Sequence, residues 1–183
     1  MVIERALFIG AHPDDIEYGC GILIQRCAES IGVVLTHGDI GGDPSDRSKE
    51  SSASSIILNY ELHFFDQKDG FVFPDPLLIE RLEKIIIEFN PTLIVTHFHD
   101  DSHQDHRACH YIVRAAMRNY YCSLIGFAVP STIGFAPNLF LNESPEEFEK
   151  KNFAINSHLS QLSKPVFLNP IPDESHHIYE VKW

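Results

Sequence analysis

The sequence of 183 residues has no apolar run that reaches the roughly 18–20 residues needed by a membrane-spanning helix. Its start carries charge within only a few apolar residues, so we expect no signal peptide. Four cysteines are present, and none of them forms a C-x-x-C pair. We therefore expect reduced thiols, no membrane insertion and a cytoplasmic location.

Basic residues are also scarce, with 14 Lys and Arg against 26 Asp and Glu and a formal net charge of -12. Because nucleic-acid backbones bind to basic surfaces, we expect no nucleic-acid partner. Glycine-rich phosphate loops of the G-x-G-x-x-G or Walker type are missing too. A chain of this length and ordinary hydrophobic content, 44%, is expected to form one domain over residues 1–183.

Short apolar strand patterns alternate with helical patterns along most of the chain. We expect strands at residues 6–11, 32–36, 62–65 and 93–96, and helices at 17–30, 50–58, 77–89, 107–118 and roughly 145–162. Asp46 or Ser48 is the expected cap of the second helix. This alternation predicts an α/β fold, with a mostly parallel sheet covered by helices.

Polar clusters follow three of the expected strands. They are the His12–Asp15 turn, the His37-Gly-Asp39 turn, and the run THFHDDSHQDHR at residues 96–107. In open parallel sheets, ligands bind beyond the carboxyl ends of the strands. We therefore expect these three clusters to converge on one crevice.

The third cluster holds four histidines and three aspartates, a combination that suits a metal ion better than a solvated loop. Catalytic zinc has three protein ligands and an open position, and it accepts imidazole and carboxylate ligands. His12 and Asp15 are three residues apart, so one turn could aim both at the same ion, with a third ligand from residues 96–107. The alternative is that Asp14 or Asp15 caps the following helix. Capping explains one aspartate but not the histidine or the second aspartate.

Two stretches resemble the signature motifs of the LmbE/PIG-L family of zinc-dependent N-deacetylases, which act on N-acetylglucosaminyl compounds. They are AHPDDIEYG at residues 11–19 and HQDHR at residues 103–107. Segments at 36–39, 47–50, 130–138 and 158–161 support the resemblance in the same order. The resemblance implies a Rossmann-like three-layer α/β sandwich with helices on both faces of its sheet. It also implies an enzyme that removes the N-acetyl group from a small amino-sugar conjugate.

The same resemblance implies a metal site. Its zinc ligands would be His12, Asp15 and His106, although a ligand set of two histidines and one aspartate also accepts Fe²⁺ or another divalent ion. Arg47 is a candidate for binding the substrate, and a solvated ion pair with Glu50 is the competing interpretation. Because related enzymes often assemble, a homo-oligomer is also considered.

Three further residues would perform the chemistry in such a site. Asp14 would be the general base that takes a proton from the metal-activated water. His103 would stabilise the oxyanion and protonate the leaving amine, and Asp105 would orient it. A histidine held by a carboxylate is favoured in its charged form, which suits a developing negative charge.

Two other functions stay open from the residues alone. One is a metal-dependent hydrolase of another amide or ester. The other is a sugar- or nucleotide-binding module without catalysis, against which the missing phosphate loop and the presence of Asp14 both count. His97 and His99 are expected to support the site or the core without being ligands. Asp69-Gly70 is interpreted as a turn that could border the pocket, and His176-His177 as a surface pair.

Overall fold

Strands and helices alternate through the chain, as its apolar pattern predicts. The computed structural model of the protein describes residues 3–164 and, through their backbone, residues 177–182. The elements are β1 (Ile3–Gly10), α1 (Asp15–Ile24), β2 (Cys27–Thr36), α2 (Pro44–Leu58), β3 (Glu61–Gln67), α3 (Pro76–Phe89), β4 (Leu93–His97), α4 (Gln104–Ala116), β5 (Ser123–Phe127), β6 (Leu139–Leu141), α5 (Pro145–Ile155) and β7 (His177–Lys182).

The strands form one sheet in the order β3-β2-β1-β4-β5-β7-β6. β1 to β5 are parallel, and β7 runs antiparallel to both β5 and β6. The predicted α/β fold with a mostly parallel sheet is confirmed. The strand order reverses direction between β1 and β4, so the crevice expected for a ligand opens where these two strands end. Ile9 of β1 pairs with Thr96 of β4. The two strands therefore end side by side, and the loops that follow them begin close together.

Helices cover both faces of the sheet, which confirms the predicted three layers. Leu7 and Ile9 of β1 face one apolar cluster, which includes Leu82 of α3 and Ile112 of α4. Phe8, between them, faces the opposite cluster, which includes residues of α1, α2 and α5. This alternation follows from the two-residue period of a strand. Among the described residues, no helix has the length and apolar character needed to cross a membrane.

Two expected helix boundaries were wrong near the first strands. The helix expected at 17–30 ends at Ile24, and Cys27 already belongs to β2. Pairing of Cys27 with Ile3 outweighs the helical spacing of the apolar residues there. The helix expected at 50–58 begins at Pro44, because Asp43 accepts hydrogen bonds from the next amide groups and caps it.

The C-terminal third differs most from expectation. α5 ends at Ile155, and residues 156–164 form turns where a longer helix was expected. β6 has only three residues, and β7 shows too little alternation of apolar and polar residues to be predicted. His176 and the side chain of His177 lie outside the described part of the structure. The helix expected at 77–89 is confirmed as α3, which with α4 has the clearest apolar stripe among the described helices.

An ion pair fastens α5 to the turn between α1 and β2. Arg26 Nε lies 2.8 Å from Glu147 Oε1, and Arg26 Nη2 lies 2.9 Å from Glu147 Oε2. Glu147 also closes a capping box with Ser144 at the start of α5. The hydrogen bond from Arg26 is the main reason that the pKa of Glu147 falls to about 2.

Replacing Glu147 by Gln should lower the free energy of unfolding by up to about 1 kcal/mol, as for partly exposed ion pairs. Glutamine preserves side-chain length and can still close the capping box, so the loss isolates the charge. A lowered pKa stabilises the fold above the unfolded value, about 4.3, and that stability disappears as the pH falls through the folded value. The difference in free energy of unfolding between wild type and variant should therefore be largest at neutral pH and nearly absent near pH 2.

Urea unfolding of both proteins between neutral and acid pH measures this difference. Glu149→Gln, on an exposed position of the same helix, is the matched control and should leave stability unchanged. An equal loss in the two variants, or a loss that does not change with pH, would contradict the role given to the Arg26 pair.

Candidate metal and catalytic site

The loops after β1 and β4 bring the three expected metal ligands together. His12 Nδ1 lies 3.2 Å from His106 Nε2 and 3.5 Å from Asp15 Oδ2. His106 Nε2 lies 3.6 Å from Asp15 Oδ1. All three side chains are buried. Tetrahedral zinc with ligands at its usual bond lengths holds their donor atoms about 3.3 Å apart. The three distances, of which those to Asp15 are measured to its two different oxygens, are close to this value.

In both His12 and His106, the ring nitrogen that points away from the other histidine lies next to a carboxylate. His106 Nδ1 lies 3.2 Å from Asp101 Oδ2. His12 Nε2 lies 3.1 Å from Asp69 Oδ1 and 3.2 Å from Asp105 Oδ2. A carboxylate in this position fixes the proton on the far nitrogen and leaves the near nitrogen free to bind a metal. His12 Nδ1 and His106 Nε2 are the nitrogens left facing each other.

The charge of this buried cluster calls for a cation. Burial acts to lower the pKa of His12, yet hydrogen bonds with Asp105, Asp15 and Asp69 raise it well above its ordinary value. Burial likewise acts to raise the pKa of Asp69, but the hydrogen bond from His12 brings it to about 2. The proton on His12 thus supplies positive charge that the carboxylates require. A divalent ion would supply the same charge, so the donor set fits a metal.

Donor atoms in the described part of the chain form three overlapping groups, each small enough to surround one ion. They are His12, His103 and His106; Asp15, His97 and His106; and His12, Asp69 and Asp105. The first group shares His106 with the second and His12 with the third. Asp69 and Asp105 lie at His12 Nε2, whereas His106 lies at His12 Nδ1, so the third group is on the other side of the His12 ring.

Helix capping does not account for the two adjacent aspartates. Asp15 Oδ2 accepts hydrogen bonds from the amides of His12 and Ala11, at 2.7 and 3.1 Å, which lie before α1 and not within it. Asp14 occupies the N-cap position of α1, but its side chain makes no capping bond. Its φ of 101° is in the left-handed region, which costs a residue other than glycine about 1–3 kcal/mol. With the backbone in this strained conformation, the carboxylates of Asp14 and Asp15 both line the crevice.

Asp14 is paired with Arg47. Arg47 Nη2 donates to Asp14 Oδ2 at 3.0 Å and to the Pro13 carbonyl at 2.7 Å. Arg47 is only 4% exposed, so the solvated pair with Glu50 is wrong. Glu50 instead accepts hydrogen bonds from Ser160. Burial and the charge of Asp15 raise the pKa of Asp14 to about 6, while Arg47 acts to lower it.

Gly38 makes room for the guanidinium group. Arg47 Nη1 donates to the Gly38 carbonyl at 2.9 Å. Gly38 has a φ of +67°, and a Cβ built on it would lie 1.9 Å from Arg47 Nη1. Any other residue here would displace the arginine that holds Asp14.

His103 lies beside the cluster at the N-terminus of α4. Its Nδ1 accepts a hydrogen bond from the Asp105 amide at 3.2 Å, and its ring centroid lies 4.6 Å from that of His12 and also from that of His106. Burial and the charges of His12 and His106 lower the pKa of His103. The structure therefore favours neutral His103, with its proton on Nε2, over the charged form expected from the sequence.

The carboxylate of Asp105 has a different partner from the one expected. It faces His12 Nε2, and it accepts hydrogen bonds from the amides of Gly70 at 2.7 Å and Val72 at 3.2 Å. Asp105 lies in the first turn of α4 and points inward, while His103 precedes the helix. The carboxylate of Asp105 therefore holds His12, while its backbone amide is the group that contacts His103.

The cluster after β2 converges on the crevice only in part. His37 stacks on Phe64, and its two nitrogens lie 2.7 Å from Ser48 Oγ and from Asp66 Oδ1, at the edge of the sheet. Asp39 does approach the site, where its Oδ1 accepts a hydrogen bond from the Asp69 amide at 3.4 Å.

Three residues contribute more to the centre than the sequence indicated. His97 Nε2 lies 3.1 Å from Asp15 Oδ2, and burial, with His106 nearby, lowers the pKa of His97 to about 4. This placement agrees with the supporting position expected for it. Asp69 follows β3 and so lies at a fourth strand end, which was a usable signal. Asp101 lies within the histidine-rich run, but only the folded structure shows that it faces His106.

A cavity of about 370 Å³ opens above the cluster, which is a size suited to a small ligand. The expected ligands His12, Asp15 and His106 line it together with Asp14, and these four residues are called its floor. Gly41, Arg47, Gln161 and Lys164 line one wall. Val129, Pro130 and Ser131 contribute another part of the lining.

Comparison with known proteins places the chain in a family. Residues 7–117 match the family model described as PIG-L: GlcNAc-PI de-N-acetylase. YaiS, an uncharacterized deacetylase of Escherichia coli (strain K12), is 36% identical over 169 residues, which span 84% of this chain and 90% of the relative.

Solved structures share the fold at lower identity. N,N'-diacetylchitobiose deacetylase from Pyrococcus horikoshii has a TM-score of 0.79 and 20% identity, covering 91% of this chain and 74% of the other. GalB, the 4-carboxy-2-hydroxymuconate hydratase of Pseudomonas putida KT2440, has a TM-score of 0.77 and 20% identity, covering 85% and 78%. These two enzymes are named for different reactions, so the fold alone does not decide the chemistry. The family match over more than half of the chain and the 36% identical relative do decide the family: this chain belongs to the PIG-L (LmbE-like) family of deacetylases of GlcNAc-type substrates.

Proposed function

We propose that this protein is a cytoplasmic, zinc-dependent hydrolase that removes the N-acetyl group from an N-acetylglucosaminyl conjugate. The observation that carries the proposal is the position of Asp14. Its carboxylate lines the cavity beside the His12, Asp15 and His106 donor atoms, but it is held by Arg47 and left out of their cluster. A carboxylate next to a metal, but not bound to it, is placed to accept a proton.

Zinc held by His12, Asp15 and His106 would polarise the acetamide carbonyl and lower the pKa of a bound water from 15.7 to about 7. The protein prepares those ligands through Asp101, Asp69 and Asp105, which fix the far nitrogens of the two imidazoles. Fe²⁺ in the same ligands is the alternative metal.

Asp14 serves as the general base in this scheme. With a pKa of about 6, it is ionised at neutral pH and still basic enough to accept a proton from the attacking water. Arg47, at 3.0 Å, keeps the carboxylate aimed at the cavity. The same proton can then pass from Asp14 to the departing nitrogen, so that acetate and the free amine balance the water consumed.

His103 serves as a hydrogen-bond donor to the substrate. Because its Nδ1 accepts the Asp105 amide, a neutral His103 carries its proton on Nε2. That N–H would bind the carbonyl oxygen as negative charge develops on it. The neutral form suits donation of a hydrogen bond better than transfer of a proton, so we assign protonation of the amine to Asp14.

Replacing Asp14 by Asn should lower the rate of acetate release about 10²–10⁴-fold, because the amide cannot accept the proton. The test is acetate release from a panel of N-acetylglucosaminyl compounds by the zinc-loaded protein, with bound zinc measured in each sample. Zinc should stay at the wild-type level, since Asp14 lies outside the ligand set. Asp46→Asn, on an exposed position of α2, is the control and should release acetate normally.

Three other results would contradict parts of this proposal. Loss of zinc in Asp14→Asn would make Asp14 a ligand. Turnover of a different amide or ester, with no acetate from any amino sugar, would support the hydrolytic centre and refute the proposed substrate class. Sugar binding without any turnover in the wild type would indicate a non-catalytic module.

Replacing His106 by Ala should abolish stable zinc binding, whereas Asp101→Asn should weaken it about 10–100-fold, as is usual for residues that orient a ligand. Competition with a chelator measures both affinities on folded protein, with circular dichroism as the check on folding. Normal zinc affinity in His106→Ala would move the third ligand to His103 or His97, the other histidines of the overlapping groups.

A further inference from the structure

Two cations line one wall of the cavity, in a chain whose net charge is -12. Arg47 Nη1 and Lys164 Nζ both lie next to Gly41. A Cβ built on Gly41 would lie 2.6 Å from Arg47 Nη1 and 3.0 Å from Lys164 Nζ. The glycine therefore leaves a space that is bordered by both positive charges.

Neither cation is fully satisfied by the protein. Arg47 Nε is buried and has no hydrogen-bond partner among the described residues. Within the same part of the chain, Lys164 forms no ion pair, although Asp14 and Asp69 act on it through space. Burial and the charge of Arg47 lower the pKa of Lys164. Two like charges that face one open space favour an anion between them.

The loop that carries Lys164 is fastened to the rest of the cavity. The Ser160 amide and Oγ donate to Glu50 of α2, at 2.8 and 2.6 Å. Gln161 Nε2 donates to the Gly41 carbonyl at 3.4 Å. The Lys164 amide in turn donates to the Gln161 carbonyl at 2.9 Å. These bonds hold Lys164 against the Gly41 turn that also faces Arg47.

We propose that Arg47 and Lys164 form a subsite for an anionic group, phosphate or carboxylate, on the amino-sugar conjugate. Lys164 then determines specificity for an acidic substrate. This inference rests on the proposed function, because it names the substrate class of the same cavity. The floor of the cavity is rich in aspartate, whereas the Gly41 wall is cationic. An acidic conjugate would therefore place its anion at the wall and its acetamide at the floor.

The test compares acetate release from three substrates. Two are acidic: N-acetylglucosamine 1-phosphate and a glycoside of N-acetylglucosamine that bears a carboxylate. The third is the neutral methyl glycoside of N-acetylglucosamine. For the preferred acidic substrate, kcat/KM should exceed that of the neutral one by about 10–100-fold, as expected for hydrogen bonds to charged groups. Lys164→Gln should lower this ratio about tenfold, mainly through KM, and Lys164→Arg should restore most of it. The acidic substrate that shows the larger preference identifies the anion.

Lys150→Gln, an exposed lysine of α5, is the matched control and should leave the ratio unchanged. Equal kcat/KM for acidic and neutral substrates would overturn the subsite. A fall in Lys164→Gln that is the same for all three substrates would overturn it as well, since Lys164 would then only hold the loop.

If no substrate releases acetate, the proposed function fails and the subsite is judged by binding. Calorimetric titration of the zinc-loaded protein with N-acetylglucosamine 1-phosphate should give a Kd about ten times weaker in Lys164→Gln than in wild type. Because the zinc is the same in both proteins, its own affinity for phosphate cancels in this comparison. An unchanged Kd would refute the subsite.

Discussion

The carboxylate of Asp15 is the interaction on which the site depends. It accepts the amides of Ala11 and His12 at the end of β1, and it faces His97 of β4 and His106 of α4. Burial acts to raise its pKa, but the charges and hydrogen bonds of the histidines hold the pKa well below the ordinary value. Asp15 therefore stays ionised, and it joins the two strand ends between which the strand order reverses. Without this carboxylate the histidines of β4 and α4 would have no common anion to orient them.

Buried charge of this kind is retained for chemistry more readily than for stability, because desolvating an ion pair costs about as much as the pair returns. The structure meets that cost by giving each charged group several partners. Glu17 of α1 shows the same design outside the metal cluster. It accepts Ser54 Oγ at 2.7 Å and Tyr60 OH at 2.6 Å, and His158 Nε2 lies 3.7 Å away. This charge contact lies six residues before Lys164, at the start of the loop that leads to the cavity.

The sequence allowed prediction of those parts of the molecule that depend on local spacing. α3 was predicted almost to its ends because its apolar stripe is regular, and His12 and Asp15 share one turn. Features that depend on tertiary contacts were not predictable. Asp69 and Asp101 reach the histidines only because β3 and α4 lie where the sheet and its helices place them. The family resemblance implied that Asp105 would orient His103, yet the inward direction of the first turn of α4 aims the carboxylate at His12.

The floor and the wall of the cavity come from different parts of the chain. All the expected ligands and proposed catalytic groups, and Arg47, lie within residues 7–117, the part that matches the family model. Gln161, Lys164 and the Val129–Ser131 lining lie beyond it. Similar folds host a deacetylase and a hydratase, so the sheet positions loops without fixing their chemistry. Under the proposed function, the family motifs would account for the attack on the acetamide, and the loops outside them would select the conjugate. A charge such as Lys164, held on such a loop, can change substrate choice while the ligands and general base stay in place.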